Sequence, residues 1–558
     1  MNEDKGLSHK KLLVLLILAF LPYLFTLPLD LIDIDTAQYA EISREMVRGN
    51  EYFQLRDNGR PYLDKPILTF WTISLFYKIF GISNFSFRLP AILALLISSF
   101  GIYKISLLRS ANRSIALLSS LIYLTVPGTY IYTLNPTIDI YLNMYLILSV
   151  LMYYLGKTHS QYYFFWMFPF MGLGVVTKGP IGIVIPMIAI GGDILLRWDW
   201  KLLWRMHPFR GFLLFSIFPV FWSYLLFLEF DAFGPYFFLY LQSFGRLYMK
   251  LYDNGWNPGY FPATFLWMFA TFSFFFLYYL YRILRFQYSK LFEEKFSYSK
   301  LHSLIKRKND YTIEAWIFLF LFLISFSKFR LPQYTFWCIP AAAIWISPNL
   351  YSLLKKWNLK GNLSLVAPSF VFASLVLVIP FLVLENWFPF LLLPPLLLII
   401  YFLIFGRMEN QFALLFLPVV VLNLSVSLFV FPELSKYQVG KEMGKMIKEI
   451  EPDQKEVLSL GVSRSKRSFE FYSDRLMVFI FQKKELLNLL KESPRLAILP
   501  EDFEYLIRDF YKDDLEIETL KAFQFYKIET PKMSFLNKFT RKNVLKRVLL
   551  VRLKRKGE

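Results

Sequence analysis

Apolar stretches long enough to cross a bilayer recur along most of this chain, and no other feature constrains its fold as much. The hydrocarbon core of a bilayer is about 30 Å thick, so a crossing helix needs about 20 mostly apolar residues. Runs of this kind lie near 11–29, 87–108, 114–132, 137–156, 162–176, 179–196, 211–231, 260–284, 313–328, 332–350, 364–384, 387–405 and 411–431. They predict a polytopic α-helical membrane protein with about thirteen transmembrane helices. Composition agrees: of 558 residues 56% are hydrophobic, only 19% are charged, and 61 are Phe. A soluble chain of this length would divide into several domains with charged surfaces. The first run has a Lys-Lys flank like a signal peptide. The segment after it, "LPYLFTLPLD", lacks a small-x-small cleavage site, so the run reads as a retained span.

Lys and Arg in the short loops set the orientation. With the N-terminus cytoplasmic, the inside loops carry Arg109 and Arg113, then Lys157, then Arg197, Lys201, Arg205 and Arg210. The loop at 285–312 is rich in Lys and Arg, and Lys355, Lys356, Lys360 and Arg407 complete the set. The outside turns near 133–136 and 385–386 have neither residue. An odd number of spans then places the tail, 432–558, outside. The net charge of +20 is spread over loops between spans, which favours anionic lipid headgroups over nucleic acid as its partner.

Three regions are expected outside: 30–86, 232–259 and 432–558. In the first, "LIDIDTAQYAEISREM" follows the end of the opening span. Asp35 with Gln38 three residues on reads as a capping box for a helix over 36–48 that ends before Gly49. Tyr39, Ile42 and Met46 give that helix one apolar face, suited to lying on the membrane surface. Residues 67–80, "ILTFWTISLFYKIF", are apolar but too short to span comfortably, and Pro66 suits a helix start. Between them "RDNGRPYLDKP" predicts a turn at Asn58-Gly59 and carries the Asp64-Lys65 pair. The expected picture is a two-helix platform with carboxylates at one end and an acid–base pair at the other. In the tail, "EVLSLGV", "LMVFIF", "RLAILP" and "VLLVRL" read as strands, and "KEMGKMIKEI" and "KKELLNLLKES" as helices. Their alternation predicts a small α/β domain. The domain division is therefore 1–431 in the membrane, including the 30–86 loop, and 432–558 outside.

The chemistry open to the outer face is narrow. The four histidines, His9, His159, His207 and His302, all fall in segments expected on the inside. The single cysteine, Cys338, lies within a span and excludes an intrachain disulfide. Ser-His-Asp and Cys-His arrangements and His/Cys zinc sites are thus excluded there. Carboxylates and cations remain, suited to taking a proton from a hydroxyl, stabilising a phosphate leaving group or holding a hard divalent ion. Asp139, in "NPTIDIYLN", stands at the outer start of a span, where an acid is costly without a partner or a wet cavity. Lys178 in "TKGP", and Lys328, Arg330 and Tyr334 in "SKFRLPQY", stand at the same boundary and can hold a lipid phosphate. Each has a plainer reading. Asp35 and Asp139 can be helix caps, Asp64-Lys65 a solvated pair, and Lys178 and Arg330 snorkelling cations. Their convergence on one membrane face favours the functional reading.

Those same segments carry a family resemblance. "DTAQYAEISREMVRGNEYFQLRDNGRPYLDKPILTFW" resembles the first periplasmic loop of the 4-amino-4-deoxy-L-arabinose transferase and protein O-mannosyltransferase family. "GLGVVTKGPIGIVIP" resembles its L-x-K-G-P segment, "SFSKFRLPQYTFWCIP" its S-x-x-K-x-P-x-Y-x-x-P segment, and "RSFEFYSDR" its tail motif F-Y-x-x-R. The match runs in order along almost the whole chain. The resemblance implies a GT-C glycosyltransferase of the bacterial inner membrane, a monomer with its active site and tail domain periplasmic. Such an enzyme moves a sugar from an undecaprenyl or similar polyprenyl phosphate carrier to an envelope acceptor such as lipid A, another glycolipid or a protein, with inversion. It implies Asp35 and Asp139 as catalytic residues. It also implies Tyr62, Asp64, Lys65, Lys178, Arg246, Arg330 and Tyr334 at the carrier phosphate and sugar, with Asp64 as a ligand of a possible divalent cation. The sequence departs from the pattern at Gln38, where an Arg is common, at Asp64, which replaces a Glu, and at Ser243, which replaces a His. A zinc site like the family's lacks its histidine here. A transporter or flippase of the same lipid-linked sugar is the rival reading. It predicts paired interrupted helices in two halves, and no such repeat is visible.

Overall fold

The computed structural model of the chain describes residues 9–245, 257–292, 310–355, 367–386, 413–453, 455–460, 467–491, 493–528 and 531–556. The protein is a multi-pass helical membrane protein with a small C-terminal sheet domain. Each expected span from 11–29 to 364–384, and the last at 411–431, contains helix. The expected span at 387–405 lies outside the described residues. Among the described residues four unbroken helices are long and apolar enough to cross a membrane, or six when two bent pairs are counted as single spans.

The bundle has two chemically distinct ends. At one end Arg109, Lys157 and Arg197 meet acids that would otherwise be stranded. Asp193 is fully buried and accepts from Tyr153 Oη at 2.6 Å, Lys157 Nζ at 3.1 Å and Arg197 Nε at 3.0 Å. Asp310 takes Arg109 Nε at 3.2 Å and Tyr154 Oη at 2.6 Å. These basic residues come from the loops that predicted the inside face. At the other end, buried Arg88 donates Nε to Leu29 O at 3.1 Å and Nη2 to Asp30 O at 2.8 Å. It also bonds Leu134 O, so one guanidinium joins the ends of three helices. A cation this buried persists only with such partners.

The two helices expected in the 30–86 loop are present: α1 (Asp35–Gly49) and α2 (Leu68–Phe80). They pack together, with Ser74 Oγ donating to Ser43 O at 3.2 Å. The expected capping box is absent. Ile34 is the cap residue of α1 and makes no side-chain cap bond. Gln38 instead donates Nε2 to Asp57 Oδ2 at 2.7 Å, because a short hairpin, Arg56–Asp57 paired with Arg60–Pro61, brings Asp57 alongside. The expected single apolar face is also corrected. Glu41, Ser43 and Arg44 are buried along with Tyr39, Ile42 and Met46, because the tail domain covers the polar side.

The covering element is α3 (Arg467–Ser473), within the "RSFEFYSDR" segment. Asp33 accepts Ser468 N at 2.6 Å and Ser468 Oγ at 2.9 Å. Tyr472 Oη accepts from Leu31 N at 2.8 Å and donates to Asn84 Oδ1 at 2.9 Å. Arg44 reaches Phe471 O and Asp474 Oδ1, both at 3.1 Å. Asp33, at the boundary of the first span, thus holds the tail domain in place.

The tail sheet comprises β1 (Glu456–Leu460), β2 (Leu476–Ile480), β3 (Arg495–Pro500), β4 (Leu515–Phe525) and β5 (Lys546–Arg555). Their spatial order is β2-β1-β3-β5-β4. β1 runs parallel to β2 and β3, while β5 is antiparallel to both β3 and β4. Successive strand residues point to opposite faces. Val457, Leu496, Ile498 and Leu550 pack with Met443 and Ile447 on one face. Leu458, Ala497, Leu499 and Val551 pack with Leu486 and Leu490 on the other. Strands covered on both faces need unbroken apolar runs, which is why "RLAILP" reads as it does.

Candidate functional site

The end of the bundle that carries Arg88 gathers three carboxylates, Asp35, Asp64 and Asp139, with the cations Lys65 and Lys178. Local sequence places each. A helical hairpin, Tyr162–Lys178 followed by Ile181–Arg197, turns at Gly179, whose φ of 105° suits glycine. A Cβ on Gly182 would lie 2.2 Å from the Gly174 carbonyl carbon, so only glycine lets the two helices approach this closely. The tip of that hairpin carries Lys178. Its Nζ lies 2.5 Å from Asp139 Oδ1, in the first turn of Ile138–Thr158.

Asp139 is 3% exposed and fully engaged. Trp337 Nε1 donates to its Oδ1 at 3.1 Å, and Thr137 Oγ1 to its Oδ2 at 3.1 Å. Lys178 Nζ also sits 5.0 Å from the Trp337 ring and 5.9 Å from that of Tyr334. Tyr334 and Trp337 stack at 5.2 Å, and Phe261 stacks on Tyr334 at 6.2 Å. The short 3₁₀ segment Pro332–Cys338 turns these rings towards Lys178 and buries Cys338 completely. Arg330, 8% exposed, acts on Tyr260, next to Phe261.

Lys65 Nζ lies 2.5 Å from Asp64 Oδ2, and Gln242 donates Nε2 to Asp64 Oδ1. The two ends of the expected platform are brought together rather than held apart. Burial, then Asp35, Tyr62, Asp64 and Asp139, push the Tyr39 phenol well above its ordinary value. Burial, then Asp64, Asp57 and Asp35, do the same to Tyr62, with Arg467 opposing. Asp35 itself is exposed, and its charge is felt at Lys178 with those of Asp139 and Lys65. The structure therefore joins Asp35, Tyr62, Asp64, Lys65, Asp139, Lys178 and Tyr334 in one neighbourhood, with Arg330 at its aromatic edge. Arg246 and the side chain of Ser243 lie outside the described residues.

A divalent cation at Asp64 does not fit this donor set. Both Asp64 oxygens face hydrogen donors, an ammonium and an amide. Among the described residues no group of three or more His, Cys, Asp or Glu side chains is placed to hold a metal.

Sequence reading missed Trp337, Thr137, Gln242 and Asp57. A tryptophan inside an apolar run looks like any other core residue. Only the fold shows that its N–H meets a buried acid. Gln242 and Asp57 act across 178 and 19 residues of chain, where no local pattern exists.

The family model described as dolichyl-phosphate-mannose-protein mannosyltransferase matches residues 64–225. An uncharacterized protein of Aquifex aeolicus is 26% identical over 84% of this chain and 88% of its own length. The undecaprenyl phosphate-alpha-4-amino-4-deoxy-L-arabinose arabinosyl transferase of Pectobacterium carotovorum is 30% identical over 34% of this chain. The chain spans about a third of that transferase's length, 35%. The crystal structure of ArnT from Cupriavidus metallidurans bound to undecaprenyl phosphate superposes with a TM-score of 0.72 over 98% of both chains, at 18% identity. Its apo state gives 0.71 over 97% of both.

Proposed function

We propose that this chain belongs to the GT-C membrane glycosyltransferase family and moves a sugar from a polyprenyl phosphate carrier to an envelope acceptor. Undecaprenyl phosphate is the carrier whose chemistry the likeness to ArnT supports. Lipid A, another glycolipid or a protein is the acceptor. The protein sits as a monomer in a bacterial inner membrane with its N-terminus cytoplasmic. The candidate site and the tail domain face the periplasm. The two ends of the bundle support this orientation, since the basic loops meet at the end opposite the site.

One observation carries the reading: an exposed carboxylate, Asp35, stands among cation–carboxylate pairs at the membrane boundary. Asp35 accepts the proton of the acceptor hydroxyl as its oxygen attacks the anomeric carbon. The bond from that carbon to the carrier phosphate breaks, and the configuration inverts. Lys65, Lys178 and Arg330 stabilise the charge that grows on the departing phosphate. Lys65 and Lys178 already hold Asp64 and Asp139, so those two carboxylates set the cations in position before substrate arrives. Asp139, with three donors on it, orients Lys178 rather than taking a proton. Tyr62 and Tyr334 line the same space. No observation favours a transporter.

Asp35→Asn tests this. The purified variant in lipid nanodiscs, given lipid-linked sugars and acceptor glycolipids extracted from the host envelope, is expected to lose about 10²–10⁴-fold in transfer rate. Its yield and thermal stability stay as in the wild type, since Asp35 is exposed. Transfer at the wild-type rate would exclude Asp35 as the base.

A further inference from the structure

We infer that Arg467, in the C-terminal domain, is a positioning residue for Asp35, acting through Asp57 and Gln38; this rests on the transfer reaction proposed above. Helix α1 begins without a side-chain cap, so its first turn, which holds Asp35, depends on tertiary contacts. One of these is Thr36 Oγ1 to Asn135 Oδ1 at 2.7 Å. Another is a chain of bonds from the tail. Arg467 Nη2 donates to Asp57 Oδ2 at 2.8 Å, and the same oxygen accepts Gln38 Nε2 at 2.7 Å. Gln38 lies one turn beyond Asp35, on the same side of the helix.

Arg467 grips the hairpin at a second point. Its Nη1 donates to Glu470 Oε2 at 2.9 Å, and Glu470 Oε1 accepts Asn58 Nδ2 at 2.7 Å. From below, Glu45 accepts Asn58 N at 2.7 Å and Gly59 N at 3.0 Å. Asn58 and Gly59 have φ of 56° and 68°, the two-residue turn that fixes hairpin register. The hairpin therefore takes up little slack, and it leads straight into Tyr62, Asp64 and Lys65. The side chains of Arg467, Asp57 and Glu470 are 13%, 11% and 2% exposed, so these charge-assisted bonds are shielded from water. A single tail arginine thus sets the spacing between the Asp35 turn and the segment bearing Asp64 and Lys65.

The test uses the full-length chain in nanodiscs with lipid-linked sugars from the host envelope. It compares wild type, Arg467→Gln, Arg467→Lys, Asp57→Asn and the double variant Arg467→Gln/Asp57→Asn. Arg467→Gln is expected to lower kcat about ten- to hundredfold, the scale of a small misplacement, with KM for the lipid donor unchanged. Arg467→Lys recovers part of the loss, and the double variant is no slower than Arg467→Gln alone. Amide exchange over residues 35–40 and 54–65 speeds up in Arg467→Gln. Unchanged kcat, multiplied losses in the double variant, or unchanged exchange would each overturn the inference. Should the wild type transfer nothing, the transfer reading falls, and exchange in Arg467→Gln alone decides whether Arg467 holds the Asp35 turn.

Discussion

Replacing Asp139 by Asn removes the counter-charge of Lys178 while keeping the side chain's shape. The pair is 2.5 Å apart, with side chains 4% and 13% exposed, so solvent screens it weakly. With the amide oxygen at the Oδ1 position Trp337 keeps its acceptor, the NH2 at the Oδ2 position donates to the Thr137 hydroxyl, which can accept as well as donate, and the ring faces around Lys178 are unchanged. The loss is therefore one buried opposite charge. Stranding its partner costs about 3–5 kcal/mol. Adding Lys178→Met removes the stranded charge and leaves two neutral side chains of similar size. That double variant is expected to recover most of the loss, with a coupling energy of about 2–3 kcal/mol. The assay is denaturant unfolding of the four proteins of the cycle in detergent, followed by tryptophan fluorescence. Losses that simply add would refute the claim that Asp139 serves Lys178, and with it the positioning role given to Asp139.

Three further outcomes follow from other parts of the structure. Burial raises the Glu41 carboxyl to about 7, against the opposing pull of Arg44, from an ordinary value of 4.5. The neutral acid therefore favours the folded state. That contribution is complete below about pH 4.5 and is lost as pH rises through about 7, and Glu41→Gln is expected to flatten this part of the pH–stability profile. Gly182→Ala drives a Cβ to 2.2 Å from the Gly174 backbone, so the hairpin bearing Lys178 is forced apart. Thermal unfolding is expected to drop sharply and carrier-phosphate binding to weaken with it. Asp193→Ala, at the opposite end, removes the buried acceptor that Tyr153, Lys157 and Arg197 share, leaves Lys157 with Asp310 at 3.5 Å and Arg197 with Asp199 at 3.4 Å, and is expected to destabilise by about 1–3 kcal/mol, leaving KM unchanged in the fraction that stays folded.

The spans were legible because a bilayer demands a long apolar run whatever the tertiary context. Strands β1, β2, β3 and β5 were legible for a related reason: "RLAILP" and "VLLVRL" are buried on both faces. Strand β4, "LEIETLKAFQF", escaped notice because polar and charged residues interrupt its apolar ones, whereas β2, at the sheet's other edge, keeps an apolar run. The capping box at Asp35 and Gln38 fitted the local pattern, yet Asp57 outcompeted it for Gln38 through a hairpin that no local rule foresees. Asp35, Lys65, Asp139 and Lys178 could be picked out as ionised groups at a span boundary. That Lys178 pairs with Asp139 and Lys65 with Asp64 could not, since pairing is a property of how the hairpins pack.

Asp33 binds Ser468 across 435 residues of chain. During synthesis Asp33 is therefore made well before the helix that binds it. The helices between them must be made and packed before the two can meet. A chain made only as far as the bundle therefore leaves Asp33 without Ser468, and synthesis of the α3 segment becomes the step that closes this surface.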